Sequence, residues 1–306
     1  MVDVLVVGEV LVELSSTEPL RDGIGLSLGF SGDALNAAAA AAAAGAHTAL
    51  VARVPTDELG DELVARVAAL GVDTGYLKRV SGQHGLYFQH ADPAGARGYV
   101  YVRRGSAGSM LAPADLPMAA LPGAVVLASG IACAISDSAY ATVQAAAHAA
   151  GRFVYDPNWR PRLVDAATAA WHLRRLAALA TLVTPAWPDE VTALCGPVRD
   201  EAAGCAAVLA LGAAAVALTR GPAGVLLDDG GTRYDLAAAQ PESIVDQTGA
   251  GDVLAGTAAA RLALGDPLPA AVRAGVAAAS LSLRGIGGTG YLPCWAETER
   301  LLAEPG

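Results

Sequence analysis

Seven short apolar runs, at residues 4–7, 49–54, 125–128, 153–155, 182–184, 216–219 and 225–227, limit what this chain can fold into. Each is too short for a membrane span, and most are bounded by Gly, Pro or a polar residue. Helical stretches at 34–44, 58–70, 137–150 and 168–179 alternate with most of them. A strand that is apolar at every position is buried on both faces. The pattern therefore predicts an α/β fold, a mostly parallel sheet with helices on both sides. With 306 residues the chain can bury a large core, and the expectation is a single domain over 1–306 with one elaboration.

Two regions break this rhythm, residues 10–30 and 85–103. They alternate polar and apolar side chains, as in Leu86-Tyr87-Phe88-Gln89 and Tyr99-Val100-Tyr101-Val102-Arg103. Alternation implies a half-exposed antiparallel sheet. Insertions so far apart in sequence can pair only if both leave the core on the same side. A small β lid, at about 10–32 and 84–104, over the carboxyl ends of the core strands is the economical arrangement, because open α/β sheets bind ligands there. Its exposed apolar alternate residues predict a dimer formed through the lid.

Composition removes several function classes. Hydrophobic residues make up 54% of the chain, but much of that is alanine. The longest apolar stretch, 202–218, is interrupted by Gly204 and Gly212 and divides into a helix, a turn and a buried strand rather than a membrane span. Met1-Val2-Asp3 lacks the basic start of a signal peptide, so a soluble, cytoplasmic protein is expected. The net charge of −10 argues against nucleic acid and anionic membrane as partners. Lys78 is the one lysine, and no Gly-Lys-Ser/Thr exists, which excludes a Walker A loop. An anionic ligand must be held by arginine, backbone N–H groups or a metal ion. Cys133, Cys195, Cys205 and Cys294 form no Cys-x-x-Cys, and the five histidines lack ligand spacing, so neither disulfides nor a zinc site is expected.

The segment Asp246-Gln247-Thr248-Gly249-Ala250-Gly251-Asp252 follows Ser243-Ile244-Val245 and precedes helix formers over 253–264, so it reads as a strand-to-helix turn. Small residues there let the backbone approach a ligand, and N–H groups at the helix start attract anions. A carboxylate beside such an anion hole suits a base that takes a proton from a hydroxyl while the N–H groups stabilise a phosphoryl group in transfer. The plainer alternative is a Gly-rich helix cap in which Asp252 serves the helix dipole.

That heptad resembles the C-terminal signature of the ribokinase-like (PfkB) family of sugar kinases, and the resemblance runs over nearly the whole chain. Gly8-Glu9-Val10-Leu11-Val12-Glu13-Leu14 is similar to the family's first-strand segment. Ser31-Gly32-Asp33-Ala34-Leu35-Asn36 is similar to its Gly-Gly-x-x-x-Asn sugar-binding turn, with Ser31 replacing the first Gly. Three segments most resemble the 2-keto-3-deoxygluconate kinase branch: Tyr101-Val102-Arg103-Arg104-Gly105-Ser106-Ala107, Ser129-Gly130-Ile131, and Tyr155-Asp156-Pro157-Asn158-Trp159-Arg160-Pro161-Arg162-Leu163.

The resemblance implies a doubly wound sheet with a β lid, and transfer of the ATP γ-phosphate, with Mg²⁺, to a primary hydroxyl of a sugar acid. It makes Asp252 the base and assigns the N–H groups of Gly249, Ala250 and Gly251 to the transferring group. It places Gly32, Asn36 and Asp33 on sugar hydroxyls, although Asp33 would serve equally as an N-cap. It brings Tyr87, Tyr101 and Arg103 to the substrate, with Arg103 gripping the carboxylate through two N–H groups. Arg104 competes for that role, and the spacing from Tyr101 favours Arg103. Arg160, from Asp156-x-Asn158-x-Arg160, would meet substrate or transferring phosphate, whereas Arg162 reads equally as a surface residue.

Counting back from Leu194-Cys195-Gly196, Glu190 takes the place of the Glu that orients magnesium-bound water, with Trp187 where the family carries Asn and Asp189 as a competitor. Thr219, Gly221 and Gly224 resemble the nucleotide-phosphate loop, to which Gly249 and Gly251 also contribute; a β-hairpin turn is the competing reading of 219–224. Gly285-Ile286-Gly287-Gly288-Thr289-Gly290 contains Gly-x-Gly-x-x-Gly, but the sixteen residues after it cannot build a βαβ dinucleotide unit. The family places an adenine-lining loop there, with Gly287 in it. A neutral-sugar or nucleoside kinase would share fold and base. Glu13, where fructokinases and ribokinases carry Asp, leans toward the sugar acid. A catalytically silent sugar-binding regulator is a further alternative, against which the intact base at Asp252 speaks.

Overall fold

The computed structural model describes residues 1–91, 97–239 and 243–303; part of the expected lid, 92–96, lies outside them. All seven apolar runs are strands of one sheet. In chain order its first members are β1 (Val4–Val7), then, after the lid strands β2 (Leu11–Ser15) and β3 (Ser27–Ser31), β4 (Thr48–Pro55) and β5 (Leu77–Val80). The lid strands β6 (Leu86–Ala91) and β7 (Arg97–Val102) intervene before β8 (Val125–Ser129), β9 (Arg152–Asp156), β10 (Leu182–Val183), β11 (Val216–Thr219), β12 (Val225–Asp228) and β13 (Arg233–Leu236). Among the described residues the large sheet runs β13-β12-β11-β10-β9-β8-β1-β4-β5. It is parallel from β5 through to β11, and β12 and β13 add an antiparallel edge.

Helices cover both faces. On one side lie α1 (Asp33–Ala43), α2 (Glu58–Ala69) and, later in the chain, α8 (Ala250–Ala263) and α9 (Leu268–Ser282). On the other lie α3 (Gly130–Ala134), α4 (Asp137–Ala149), α5 (Ala166–Ala177), α6 (Asp189–Cys195) and α7 (Glu201–Leu209); α10 (Trp295–Ala303) ends the described chain. Strand side chains such as Leu5, Leu50 and Leu218 are fully buried, each contributing about 1.5–3 kcal/mol of hydrophobic stabilisation. The stretch 202–218 divides as expected, into α7, a turn and β11. Among the described residues no helix is long and apolar enough to cross a membrane.

The alanine run has a packing role. α1 buries Ala37 to Ala41 against α8, so closely that a Cβ on Gly256 would lie 2.1 Å from the Ala37 carbonyl oxygen. Small side chains on both helices permit this approach, and it brings the start of α1 beside the start of α8.

The lid is a sheet of order β3-β2-β6-β7 among the described residues. Its outer pairs are antiparallel, but the central β2–β6 pair is parallel, contrary to the all-antiparallel expectation. Each half is a hairpin, and both hairpins leave the core in the same direction. Their first strands therefore run alike where they meet. A second correction concerns the segment before the heptad: 243–245 is not a strand but irregular chain, and α8 begins within the heptad, at Ala250.

Candidate active site

Between the lid and the carboxyl ends of the core strands lies a cavity of about 930 Å³. Its floor is built from chain that leaves β3, β9, β10 and β11 and from the first turns of α1 and α8. Its roof is the inner lid face, where strand alternation and register align Tyr87 with Tyr101 and Gln89 with Tyr99. The rings of Tyr87, Tyr99 and Tyr101 cluster there, with centroids 5.9–6.3 Å apart.

Helix starts explain the floor. Asp57, Asp165 and Asp200 cap the first turns of α2, α5 and α7, whereas α6 and α9 start at Pro188 and Pro267 without a side-chain cap. α1 and α8 begin instead at Gly32 and Gly249, without a side-chain cap. Gly249 has a left-handed φ of 81°, and a Cβ on it would sit 2.8 Å from the Gly288 Cα. Both glycines line the cavity, together with Ala250 and Gly251, so the start of α8 faces it; the Ala250 N–H donates to the Gln247 carbonyl at 3.3 Å.

Asp252 stands half-buried in that first turn. Its Oδ2 accepts a hydrogen bond from Asn36 Nδ2 at 2.8 Å and its Oδ1 one from Asn158 Nδ2 at 3.2 Å. Desolvation, then the nearby Asp33 charge, raises its carboxyl pKa to about 7, against the Asn36 donor, the Arg160 guanidinium and the Asn158 donor. Asp33 accepts from the Ser129 hydroxyl. Asp156, buried at the end of β9, is pushed well above the carboxylate range by burial and by the Glu190 and Asp252 charges. Such a concentration of perturbed acids in one cleft marks a chemical site more often than a structural one.

Glu190 lines the cavity and Asp189 does not. Its two oxygens accept the Trp159 N–H at 2.5 Å and the Ala186 N–H at 2.7 Å, and burial raises its pKa. Trp187, in the place of the family Asn, packs instead on Gly204 of α7.

The expected Arg103 contact changes most. Arg103 is 8% exposed, and its Nε and a terminal nitrogen both donate to Glu9 Oε2, at 3.0 and 2.6 Å. Ser106 Oγ donates to the other Glu9 oxygen at 2.6 Å. The guanidinium fork that would grip a substrate carboxylate thus already grips a carboxylate of the chain. Arg104, Arg160 and Arg162 are the exposed guanidinium groups on the cavity wall, and Arg162 donates to the lid at the Tyr99 carbonyl, 2.9 Å away. Tyr87, 5% exposed, donates to Glu13 at 2.5 Å, so its hydroxyl is also engaged.

The nucleotide-loop residues divide. Thr219 lines the cavity, but Gly221 and Gly224 do not; they turn the chain between antiparallel β11 and β12, as in the hairpin reading. Gly287 is also off the cavity wall, its N–H held by Asp246 Oδ2 at 2.8 Å. Sequence reasoning missed Tyr99, whose hydroxyl lies 3.1 Å from Thr248 Oγ1 and ties the lid to the α8 loop. Its period-two spacing from Tyr101 was the available signal. It also gave Asp156 and Asn158 no role, and nothing local could show that they converge on Asp252.

The pfkB family carbohydrate kinase model matches residues 1–293. A 2-dehydro-3-deoxygluconokinase of Thermoproteus tenax is 32% identical over 99% of this chain and 94% of its own. A 2-dehydro-3-deoxygalactonokinase of Haloferax volcanii is 27% identical over 90% of this chain and 88% of its own. Among solved structures, a fructokinase of Xylella fastidiosa with bound ATP superimposes with a TM-score of 0.86 at 21% identity, covering 99% of this chain and 98% of that one. A carboxylate-bearing helix start under a β lid, and a family match over nearly all its length, make this chain a member of the pfkB carbohydrate kinases, phosphotransferases that act on a sugar hydroxyl.

Proposed function

We propose that this enzyme is an ATP-dependent 2-keto-3-deoxygluconate kinase. The observation that carries the reading is the pairing, in one cavity, of a desolvated base with exposed arginines: Asp252 on the floor, Arg104 and Arg160 on the wall. Any sugar that receives a phosphoryl group can use one such cation, whereas only a sugar acid brings a carboxylate for the second. The similarity to kinases of two keto-deoxy sugar acids supports the same substrate class. With Arg103 committed to Glu9, Arg104 and Arg160 become the candidates for the substrate carboxylate and the transferring phosphoryl group.

In the proposed reaction the primary hydroxyl of the sugar acid gives its proton to the Asp252 carboxylate. Its oxygen bonds the γ-phosphorus, and the bond from that phosphorus to the β–γ bridging oxygen breaks, releasing ADP. The N–H groups of Gly249, Ala250 and Gly251 stabilise the charge on the transferring group, and Gly32, Asp33 and Tyr101 border the sugar. ATP, bound in the related fructokinase, would extend its triphosphate past Thr219 to the start of α8. Glu190 on the cavity wall would orient magnesium-bound water, the ion being held largely through the phosphates, and a bound Mg²⁺ would supply charge neutralisation to the triphosphate. A closed lid would keep water from the γ-phosphate. The outer lid face, with Leu28 at 57% and Val100 at 44% exposure, is the proposed dimer surface. Sedimentation equilibrium checks it, and a monomer at micromolar concentration would refute it.

The test of the substrate is ATP turnover on 2-keto-3-deoxygluconate, 2-keto-3-deoxygalactonate, fructose, ribose and adenosine. The expected result is a kcat/KM for a keto-deoxy acid about 10²-fold or more above each neutral sugar. Equal or better turnover of a neutral sugar would make this a neutral-sugar kinase, and turnover of none would favour a silent sugar binder.

A further inference from the structure

Asn158 follows β9 with a φ of 40°, in the left-handed region that a residue with a Cβ adopts only at an energetic cost. The chain just after it is held as well, because the Trp159 N–H donates to Glu190 at 2.5 Å. The conformation aims one group. Asn158 Nδ2, from the chain after β9, reaches Asp252 Oδ1 at 3.2 Å. From α1, Asn36 Nδ2 reaches Asp252 Oδ2 at 2.8 Å. Asn36 is 3% exposed, and its own Oδ1 accepts the Ser31 hydroxyl at 3.1 Å, so its amide orientation is fixed by a further donor. Each oxygen of the Asp252 carboxylate thus has one neutral donor and keeps a lone pair for another partner.

The groups facing Asp252 act in opposite directions. Asp33 from α1 and Asp156 from the end of β9 are carboxylates that disfavour a third charge, as does burial. Arg160, beyond β9, and the two amides favour the carboxylate. An amide has two virtues here that a lysine or arginine would lack. It neither titrates nor competes with Asp252 for the proton, and it adds no net charge that would hold the proton away after transfer.

Resting on the reading of Asp252 as the base, we propose that Asn158 and Asn36 are positioning residues, a neutral amide clamp that fixes the Asp252 carboxylate and keeps it ready to accept the substrate proton, with Asn158 holding a left-handed backbone for that purpose.

The test uses the full-length enzyme labelled with carboxyl-¹³C aspartate. The resonance lost in Asp252→Asn assigns Asp252, and its titration midpoint is followed in Asn158→Gly, which keeps the left-handed φ without strain while removing the amide. The isosteric Asn158→Asp exchanges the donor for a further carboxylate and keeps the shape of the site should the glycine variant unfold. The midpoint is expected to rise by about one pH unit in Asn158→Gly and further in Asn158→Asp. The acid limb of kcat/KM, on the best sugar of the panel, should move with it, so that activity at pH 6 falls about tenfold while KM for ATP is unchanged. Unmoved midpoints in both variants, beside an Asp252→Asn that is inactive, would overturn the clamp and leave the base in place. Full turnover by Asp252→Asn would overturn the base itself and, with it, the purpose of the clamp.

Discussion

The floor and the lid of the cavity are built on opposite principles. The floor hangs from buried parallel strands and tightly packed helices, and beside Asp33 it gathers Asp156, Glu190 and Asp252, where burial raises the cost of each of these three charges. The lid is a thin sheet with one face toward solvent, held by aromatic contacts and a few polar links: Tyr87 to Glu13, Tyr99 to Thr248, Arg162 to Tyr99 and, at its root, Arg103 to Glu9. Rigidity on the floor keeps a strained electrostatic arrangement from relaxing. The lid, with fewer buried contacts, is the element suited to open and close. Chemistry should therefore be lost by changes on the floor, and closure by changes in the lid.

The largest expected effect is on the floor. Asp252→Asn should lower kcat by about 10²–10⁴ with little change in sugar KM, as for loss of a positioned general base. Because the folded-state pKa of Asp252 is raised to about 7, and the base acts as carboxylate, wild-type kcat/KM should be flat above that pH and fall about tenfold per unit below it. A pH–rate profile that is flat down to pH 5 would remove Asp252 from the role.

At the root of the lid, Arg103→Ala would strand Glu9, 1% exposed, without its partner. The expected cost is about 3–5 kcal/mol of stability in urea unfolding, with more than half recovered in the double variant Glu9→Gln, Arg103→Met. Turnover should fall alike on acidic and neutral sugars. A loss confined to the acid, with stability intact, would return Arg103 to the substrate carboxylate and blur the division between floor and lid.

The smallest effect belongs to the lid's free end. Tyr99→Phe removes one part-buried hydrogen bond to Thr248, worth about 0.5–1.5 kcal/mol, so sugar KM should rise about two- to tenfold with kcat held. A fall in kcat instead would mean that the Thr248 loop, and not the lid, is what Tyr99 supports.

Parts of the molecule were legible before folding because their signals are local. A continuous apolar run such as 125–128 must be buried on both faces, and an alternating one such as 99–103 on one, so core and lid could be told apart by period alone. The start of α8 was legible for the same reason, since glycines beside an acid have few other uses at a helix start. The parallel β2–β6 pairing was not, because strand direction depends on where two distant hairpins leave the core.

Arg103 and Asn158 mark the boundary most sharply. Their residue types and spacing identified them as polar groups near a strand end, and composition dictated that arginine would carry the cationic work in a chain with one lysine. Whether a guanidinium meets a ligand or Glu9, 94 residues away in sequence, depends on which carboxylate the fold brings within 3 Å. Likewise, Asn36 and Asn158 reach Asp252 from 216 and 94 residues away. Burial pattern and turn chemistry are written in neighbouring residues, so the sequence by itself determined the layers, the lid and the glycine-rich helix start. Hydrogen-bond partners and pKa values depend on distance and desolvation, which exist only once the chain has closed on itself, and so the tertiary structure alone decided which charges are spent on the fold and which face the cavity.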